Sequence, residues 1–336
     1  MKCLIVLGMH RSGTSATMGV LKNLGVETGS NFMEPRVWNP KGNFELLNLY
    51  EINERILSRL DSSWDSPCLL PENWWDDGFD EIKKDSINLL KNFDAEIIGM
   101  KDPRLCRVLP VWKEAIRSAG AKPYFVIPLR HPLETAASLN ARNKFSQEKS
   151  LLLWMLYMLD AEYYSRNLPR VFIMYEDLFK NISSVVDRIS AELDIKFPRS
   201  FEEARGDIER FLDRGLKHHN EDSEPKGQPL FEEIFGFYRL LSQFASGAPV
   251  SGEALSEIDR IRDRHFALNR MFYNRDIKEA IAAKAFAADK NEPDRPGKKN
   301  ITWPKKFERY FRKAVVLPVK EKFSARREAE IENGGR

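Results

Sequence analysis

The stretch CLIVLGMHRSGTSATMGVLKNLGV, residues 3–26, restricts the fold more than any other part of the chain. Cys3 to Leu7 is a short continuous apolar run, the pattern of a strand buried on both faces in a parallel sheet. Gly8 and Gly13 then frame a turn with G-x-x-x-x-G spacing, and a helix-period segment over 15–25 follows at once. Strand, glycine turn and helix N-terminus together aim backbone N–H groups and a positive dipole end at one point, which suits an anion. Thr14 and Ser15 add hydroxyls at the first helical turn. The plainer alternative is a tight strand-to-helix turn that binds nothing. Loops that hold a nucleoside triphosphate carry Lys after the second glycine, and here that residue is Thr14. The cation inside this loop is Arg11, two residues before Gly13. A guanidinium there reaches one 5′-phosphate and the oxygen bridging it to a leaving group, but does not extend along a triphosphate.

Three further apolar runs, EIIGM (96–100), PYFVIPL (123–129) and RVFIMY (170–175), read as strands of the same kind. Helix-period segments at 46–60, 80–92, 107–119, 132–142 and 147–166 alternate with them. That alternation predicts an α/β fold: a P-loop-like parallel sheet with helices on both faces, joined by right-handed crossovers. Ligands of such sheets bind beyond the carboxyl ends of the strands, so Arg11, Lys101, Asp102, Arg130 and Glu176 are expected at one rim. Beyond residue 200 helices without strands follow, giving a helical C-terminal extension. The expected divisions are an α/β domain over 1–250, a helical extension over 251–290, and a linker with a basic tail helix over 291–336.

A net charge of +3 is too mild for a nucleic-acid partner, which usually leaves a strongly basic footprint. Cys3, Cys68 and Cys106 are scattered and odd in number, which fits a reducing compartment rather than a disulfide scaffold or zinc site. The N-terminal apolar run is too short for a signal segment or a membrane span. A cytoplasmic protein is expected, and no metal cluster stands out.

The loop HRSGTS, residues 10–15, resembles the 5′-phosphosulfate loop of sulfotransferases that use 3′-phosphoadenosine 5′-phosphosulfate (PAPS) and release PAP. The resemblance implies a second motif, a strand ending in Arg with a Ser eight residues on that grips the 3′-phosphate. YFVIPLRHPLETAAS, residues 124–138, supplies it with Arg130 and Ser138. KDPRLCRVLPVW (101–112), LLLWMLYMLDAEYYSR (151–166) and MYEDL (174–178) resemble blocks of the bacterial carbohydrate-type branch, so the similarity spans residues 3 to 220. The R-K-G-x-x-G-D-W-K segment of the cytosolic branch is missing. Arg214, Lys217, His218 and His219 are either its substitute or a solvated basic turn. The donor-binding set implied is therefore Arg11, Ser12, Gly13, Thr14, Ser15, Arg130 and Ser138.

The resemblance further implies in-line transfer of a sulfuryl group from PAPS to a hydroxyl or amine of a small-molecule or polysaccharide acceptor, such as a carbohydrate or glycolipid. Arg11 is the expected stabiliser of charge on the departing oxygen, and no metal is expected. Lys101 is a candidate proton donor to it. The expected base is Glu45, in a region where related enzymes place a glutamate, ahead of Asp102, which follows the EIIGM strand. Lys101 and Arg104 are expected to lower the Asp102 pKa and make it an orienting partner. His10 is a third candidate, or a histidine that packs against the loop.

Glu176 and Asp177 read as structural, capping the next helix and pairing with an arginine. Leu151, Trp154, Leu156, Met158 and Leu159 read as core. Trp64, Trp74 and Trp75 form either a sugar-stacking surface or the packing of a lid. Trp303, Phe307 and Phe311 lie opposite Lys305, Lys306, Arg309, Arg312 and Lys313 over 303–316. That tail is either a peripheral contact with the inner membrane surface or a helix packed on the domain. Two other functions compete: a P-loop kinase-like phosphotransferase with a displaced cation, and a non-catalytic nucleotide-binding adaptor.

Overall fold

The computed structural model describes residues 1–33, 42–212 and 229–270. Four strands, β1 (Lys2–Val6), β2 (Ile97–Lys101), β3 (Lys122–Leu129) and β4 (Arg170–Met174), form one all-parallel sheet in the order β2-β1-β3-β4. Each is one of the four apolar runs, displaced by no more than 1 residue at either end. Between the strands lie α1 (Thr14–Asn23), α2 (Leu47–Arg59), α3 (Asp80–Lys91), α4 (Leu105–Ser118), α5 (Pro132–Asn143) and α6 (Gln147–Ser165). Then follow α7 (Asp177–Lys180), α8 (Ile182–Leu193), α9 (Phe201–Phe211), α10 (Pro229–Ala245) and α11 (Gly252–Arg270).

The period-2 alternation of strand side chains explains why both faces are covered. Along β1, Cys3 and Ile5 enter one core with α2 to α6, α10 and α11, whereas Leu4 and Val6 enter a second core with α1, α8 and α9. β3 splits in the same way, sending Phe125 and Ile127 to the first core and Val126 to the second. Each such aliphatic side chain contributes about 1.5–3 kcal/mol by leaving water, so an exposed face on either side would be costly. The α/β class with helices on both faces is thus the observed architecture. Leu151 through Leu159 of α6 are all buried, in agreement with their reading as core.

Strand order positions the site. The chain leaves β1, builds β2 on one side of it, then crosses to build β3 on the other. Val6 is paired with Lys101 in one direction and Val126 in the other, so the turn after β1 opens between the ends of β2 and β3. That is the crevice where open parallel sheets take ligands. At the C-terminal end of the described residues, α11 contributes Ala254, Ile258, Ile261 and Phe266 to the first core. Arg214 to His219, the linker and the 303–316 tail lie outside the described residues. Among the described residues, no helix is long and apolar enough to cross a membrane.

Candidate active site

The turn after β1 is built by hydrogen bonds that leave its centre to backbone. Leu7 N–H extends the strand pairing to Val126 O at 3.0 Å, and Gly8 N–H donates to Cys106 Sγ at 3.0 Å. Ser12 N–H closes a tight turn onto Met9 O at 3.1 Å, while Arg11 takes a left-handed φ of 70°. Gly13 is the N-cap of α1 with φ 89°, and no side chain caps that helix. A Cβ on Gly13 would lie 2.1 Å from Cδ2 of Tyr175, so this glycine is required by a close approach as well as by its backbone. Ser12 Oγ is buried in the turn without a hydrogen-bond partner, an orphaned donor beside uncapped helical N–H groups.

The two rims anticipated from the sequence meet. Arg11 Nε donates to Ser138 Oγ at 2.8 Å across 127 residues of chain, and Arg130 Nη1 donates to Arg11 O at 2.9 Å. Arg130 ends β3, and Pro132 at the start of α5 sets the helix that carries Ser138. Glu134 holds Arg130 Nε at 2.9 Å, and the Arg130 guanidinium lies 4.8 Å from the centre of the Tyr175 ring. Tyr175 reaches that place because its N–H continues the β3–β4 pairing to Leu129 O. Burial first, and the neighbouring Arg130 second, push the Arg11 pKa down from its ordinary value.

On the β2 side, Lys101 directs its ammonium at Ser15 Oγ (3.2 Å), Asn43 O (2.9 Å) and Glu45 Oε1 (2.6 Å). Ser15 O–H donates in turn to Asn43 O at 3.3 Å. The Lys101–Glu45 pair is buried, so the turn between residue 42 and α2 is clamped to the first turn of α1 by charge-assisted bonds. Asp102 is wholly buried, accepting from Arg104 N–H at 2.7 Å and from Arg104 Nη1 at 3.2 Å. Arg104 also pairs with Glu54 and covers the Tyr50 ring. The expectation of a lowered Asp102 pKa is corrected: burial raises it and Glu45 adds to the rise, against the pull of Arg104 and Lys101. Neighbouring cations were legible in the sequence, but the loss of water around the carboxylate was not. The Asp102 carboxylate is turned onto Arg104.

His10 packs edge-on against Trp64 at 4.6 Å, and its Nε2 is buried without a partner. Burial, then Arg104, Arg142, Lys101 and Arg11, hold its pKa well below the usual imidazole range, so it is neutral at pH 7. Trp64 stacks on Phe145 at 5.7 Å, and Trp74 sits in the core edge-on to Phe79. Trp74 is thus a core residue, whereas Trp64 is half-buried and packs on His10 and Phe145. Glu176 departs from expectation. It makes no side-chain cap on α7, and its partner is Lys180, one turn away on the same exposed surface, rather than an arginine. In a four-residue helix the i,i+4 lysine is the nearest available cation.

Tyr175 and Arg142 also belong to the site and were not singled out from the sequence. Tyr175 was legible as the residue that ends the RVFIMY run. Arg142 was legible as the residue four after Ser138, on the same face of α5. Among the described residues no group of His, Cys, Asp and Glu has the arrangement of a metal site. All three cysteines are free and buried.

No family model matches the chain, and no curated protein matches it. Among solved structures it is similar to a sulfotransferase domain from the curacin biosynthetic pathway, at 16% identity. The similarity covers 78% of this chain and 97% of that one with a TM-score of 0.38.

Proposed function

We propose that the chain is a sulfotransferase that uses PAPS as donor and a hydroxyl or amine, of a carbohydrate or glycolipid, as acceptor. The observation that carries this reading is the direct contact between Arg11 and Ser138, with Arg130 bound to the Arg11 carbonyl. Two anion-suited motifs far apart in the chain converge on one crevice, as a nucleotide with phosphates at two positions of one ribose requires. The residues fit such a donor. Ser12, Gly13, Thr14 and Ser15 would hold the 5′-phosphate through backbone N–H groups and hydroxyls. Arg130 and Ser138 would hold the 3′-phosphate, and the unpartnered Ser12 Oγ would donate to the 5′-phosphate in its own loop. The donor supplies an activated sulfuryl group on a good leaving group.

The chain's own residues then have distinct tasks. Arg11 stabilises negative charge on the oxygen that parts from sulfur, as a cation that keeps its proton. Glu45 accepts the acceptor's proton. Its Oε1 is held by Lys101, and it keeps slight exposure, whereas Asp102 is sealed and turned onto Arg104. Lys101 fixes Glu45 and Ser15 on one side of the loop, so base and phosphate cradle are set by one ammonium. Neutral His10 forms part of the apolar wall.

Calorimetric titration with PAP, ADP and ATP tests the proposal. Submicromolar PAP binding with ATP at least tenfold weaker is expected. ATP binding that equals or exceeds PAP binding and depends on magnesium would instead establish the kinase-like alternative. Arg11→Ala that retains fold and loses sulfuryl transfer would exclude a purely adaptor role.

A further inference from the structure

Arg142 differs from three other cations of the crevice, Arg130, Lys101 and Arg104. Arg130 has Glu134, Lys101 has Glu45 and Arg104 has Asp102 and Glu54, but Arg142 has no carboxylate partner among the described residues. Its Nε donates to the neutral Asn143 Oδ1 at 2.5 Å, and its guanidinium lies 5.5 Å from the centre of the Trp64 ring. Trp64 is itself fixed between Phe145 and His10, and its carbonyl accepts the Tyr157 hydroxyl at 2.6 Å. The guanidinium therefore lies against a ring that is itself fixed, and among the described residues it forms no ion pair. Burial and the nearby Arg11 push its pKa down to about 10, with Arg104 acting in the same sense and Glu45 against it. A half-buried cation crowded by like charges is a costly arrangement unless it serves an anion from outside the chain.

Its position distinguishes it from the donor set. Arg142 lies four residues beyond Ser138 on α5, about 6 Å further along the helix axis, displaced towards Trp64 and away from Arg130. Glu45, the proposed base, is near enough for its charge to act on Arg142.

We propose that Arg142 is the anchor for a negatively charged group on the acceptor, so that the substrate class is a hydroxyl compound already carrying a carboxylate or sulfate. The assignment rests on the sulfuryl-transfer reading above. A planar guanidinium suits such groups, because its parallel N–H bonds match two oxygens of one oxyanion. With its charged end on Arg142, the acceptor is oriented with its hydroxyl facing Glu45. Arg142 is thus a specificity-determining residue, distinct from the groups that act on the reacting atoms.

The test uses the full chain saturated with PAP and titrated calorimetrically with matched probes. These are glucuronate and its methyl ester, 4-hydroxybenzoate and its methyl ester, and glucose 6-sulfate and glucose. In the wild type at least one anion is expected to bind about tenfold more tightly than its neutral counterpart, the scale of a charge-assisted contact. Arg142→Gln should reduce that ratio to within twofold while leaving PAP affinity within twofold, and Arg142→Lys should restore part of it. No discrimination in any pair, or discrimination that survives in Arg142→Gln, overturns the proposal while PAP binding keeps the donor reading intact. A tenfold loss of PAP affinity in Arg142→Gln also overturns it, by moving the residue into the donor site. If the wild type fails to bind PAP, the donor reading itself falls and this assignment with it.

Discussion

Gly13→Ala is the most informative single perturbation, because two independent costs meet at one atom. The residue has φ 89°, where an L side chain is strained by about 1–2 kcal/mol. The added methyl would also lie 2.1 Å from Cδ2 and 2.5 Å from Cε2 of Tyr175, far inside contact distance. Tyr175 is buried between the loop and Arg130, so its ring has to shift, at about 1–3 kcal/mol for overpacking. Together these predict a destabilisation of about 2–5 kcal/mol, read from urea unfolding followed by circular dichroism. In a Tyr175→Ala background the overlap is gone, and only the backbone strain of about 1–2 kcal/mol should remain. Gly206→Ala is the control. It sits inside α9 with open space at its Cβ and should stabilise by about 0.5–1 kcal/mol. A Gly13→Ala cost below about 1 kcal/mol, or an equal cost with and without the Tyr175 ring, would refute the reasoning.

Glu45→Gln should lower turnover by at least about 100-fold while PAP affinity stays within threefold, because it removes the base and leaves the cradle; parallel losses in both would place Glu45 in the donor site. Asp160 gives a pH signature: burial raises its pKa to about 6 from 3.8 despite Arg107 at 2.7 Å and Arg262 at 3.8 Å. Its contribution to stability is full below pH 3.8 and is lost as pH rises through about 6, a decline of about 3 kcal/mol. Asp160→Asn should lack that decline when unfolding free energies at pH 4 and pH 7 are compared, and an unchanged slope would count against it.

The strands were readable because a strand buried on both faces must be a continuous apolar run, and nothing in CLIVL or PYFVIPL competes with that reading. Helix limits were readable for a related reason: Gly13, Pro132 and Ser146 mark entry points through backbone constraint or side-chain capping. The candidate site was legible as two motifs, HRSGTS and R-H-P with Ser138, each a local pattern with a local meaning. The lysine partner of Glu176 was legible too, as the i,i+4 residue of EDLFK, once a helical turn directly after β4 is recognised.

The chain's own order of residues determined that a glycine turn with an internal arginine would follow a buried strand, and that a second arginine would end another. Tertiary structure alone decided that β1 lies between β2 and β3, which brings Lys101, Arg11 and Arg130 to one crevice. It decided too that Lys101 would find Glu45 rather than its sequence neighbour Asp102, and that Asp102 would be drawn up in pKa. The physical reason is the same throughout. Backbone conformation and hydrophobic periodicity act over a few residues and are written locally, whereas desolvation and charge pairing depend on which distant segments exclude water from a group. Arg142 was set on α5 by four residues of spacing, but that it forms no ion pair among the described residues appeared only when the fold had closed around it.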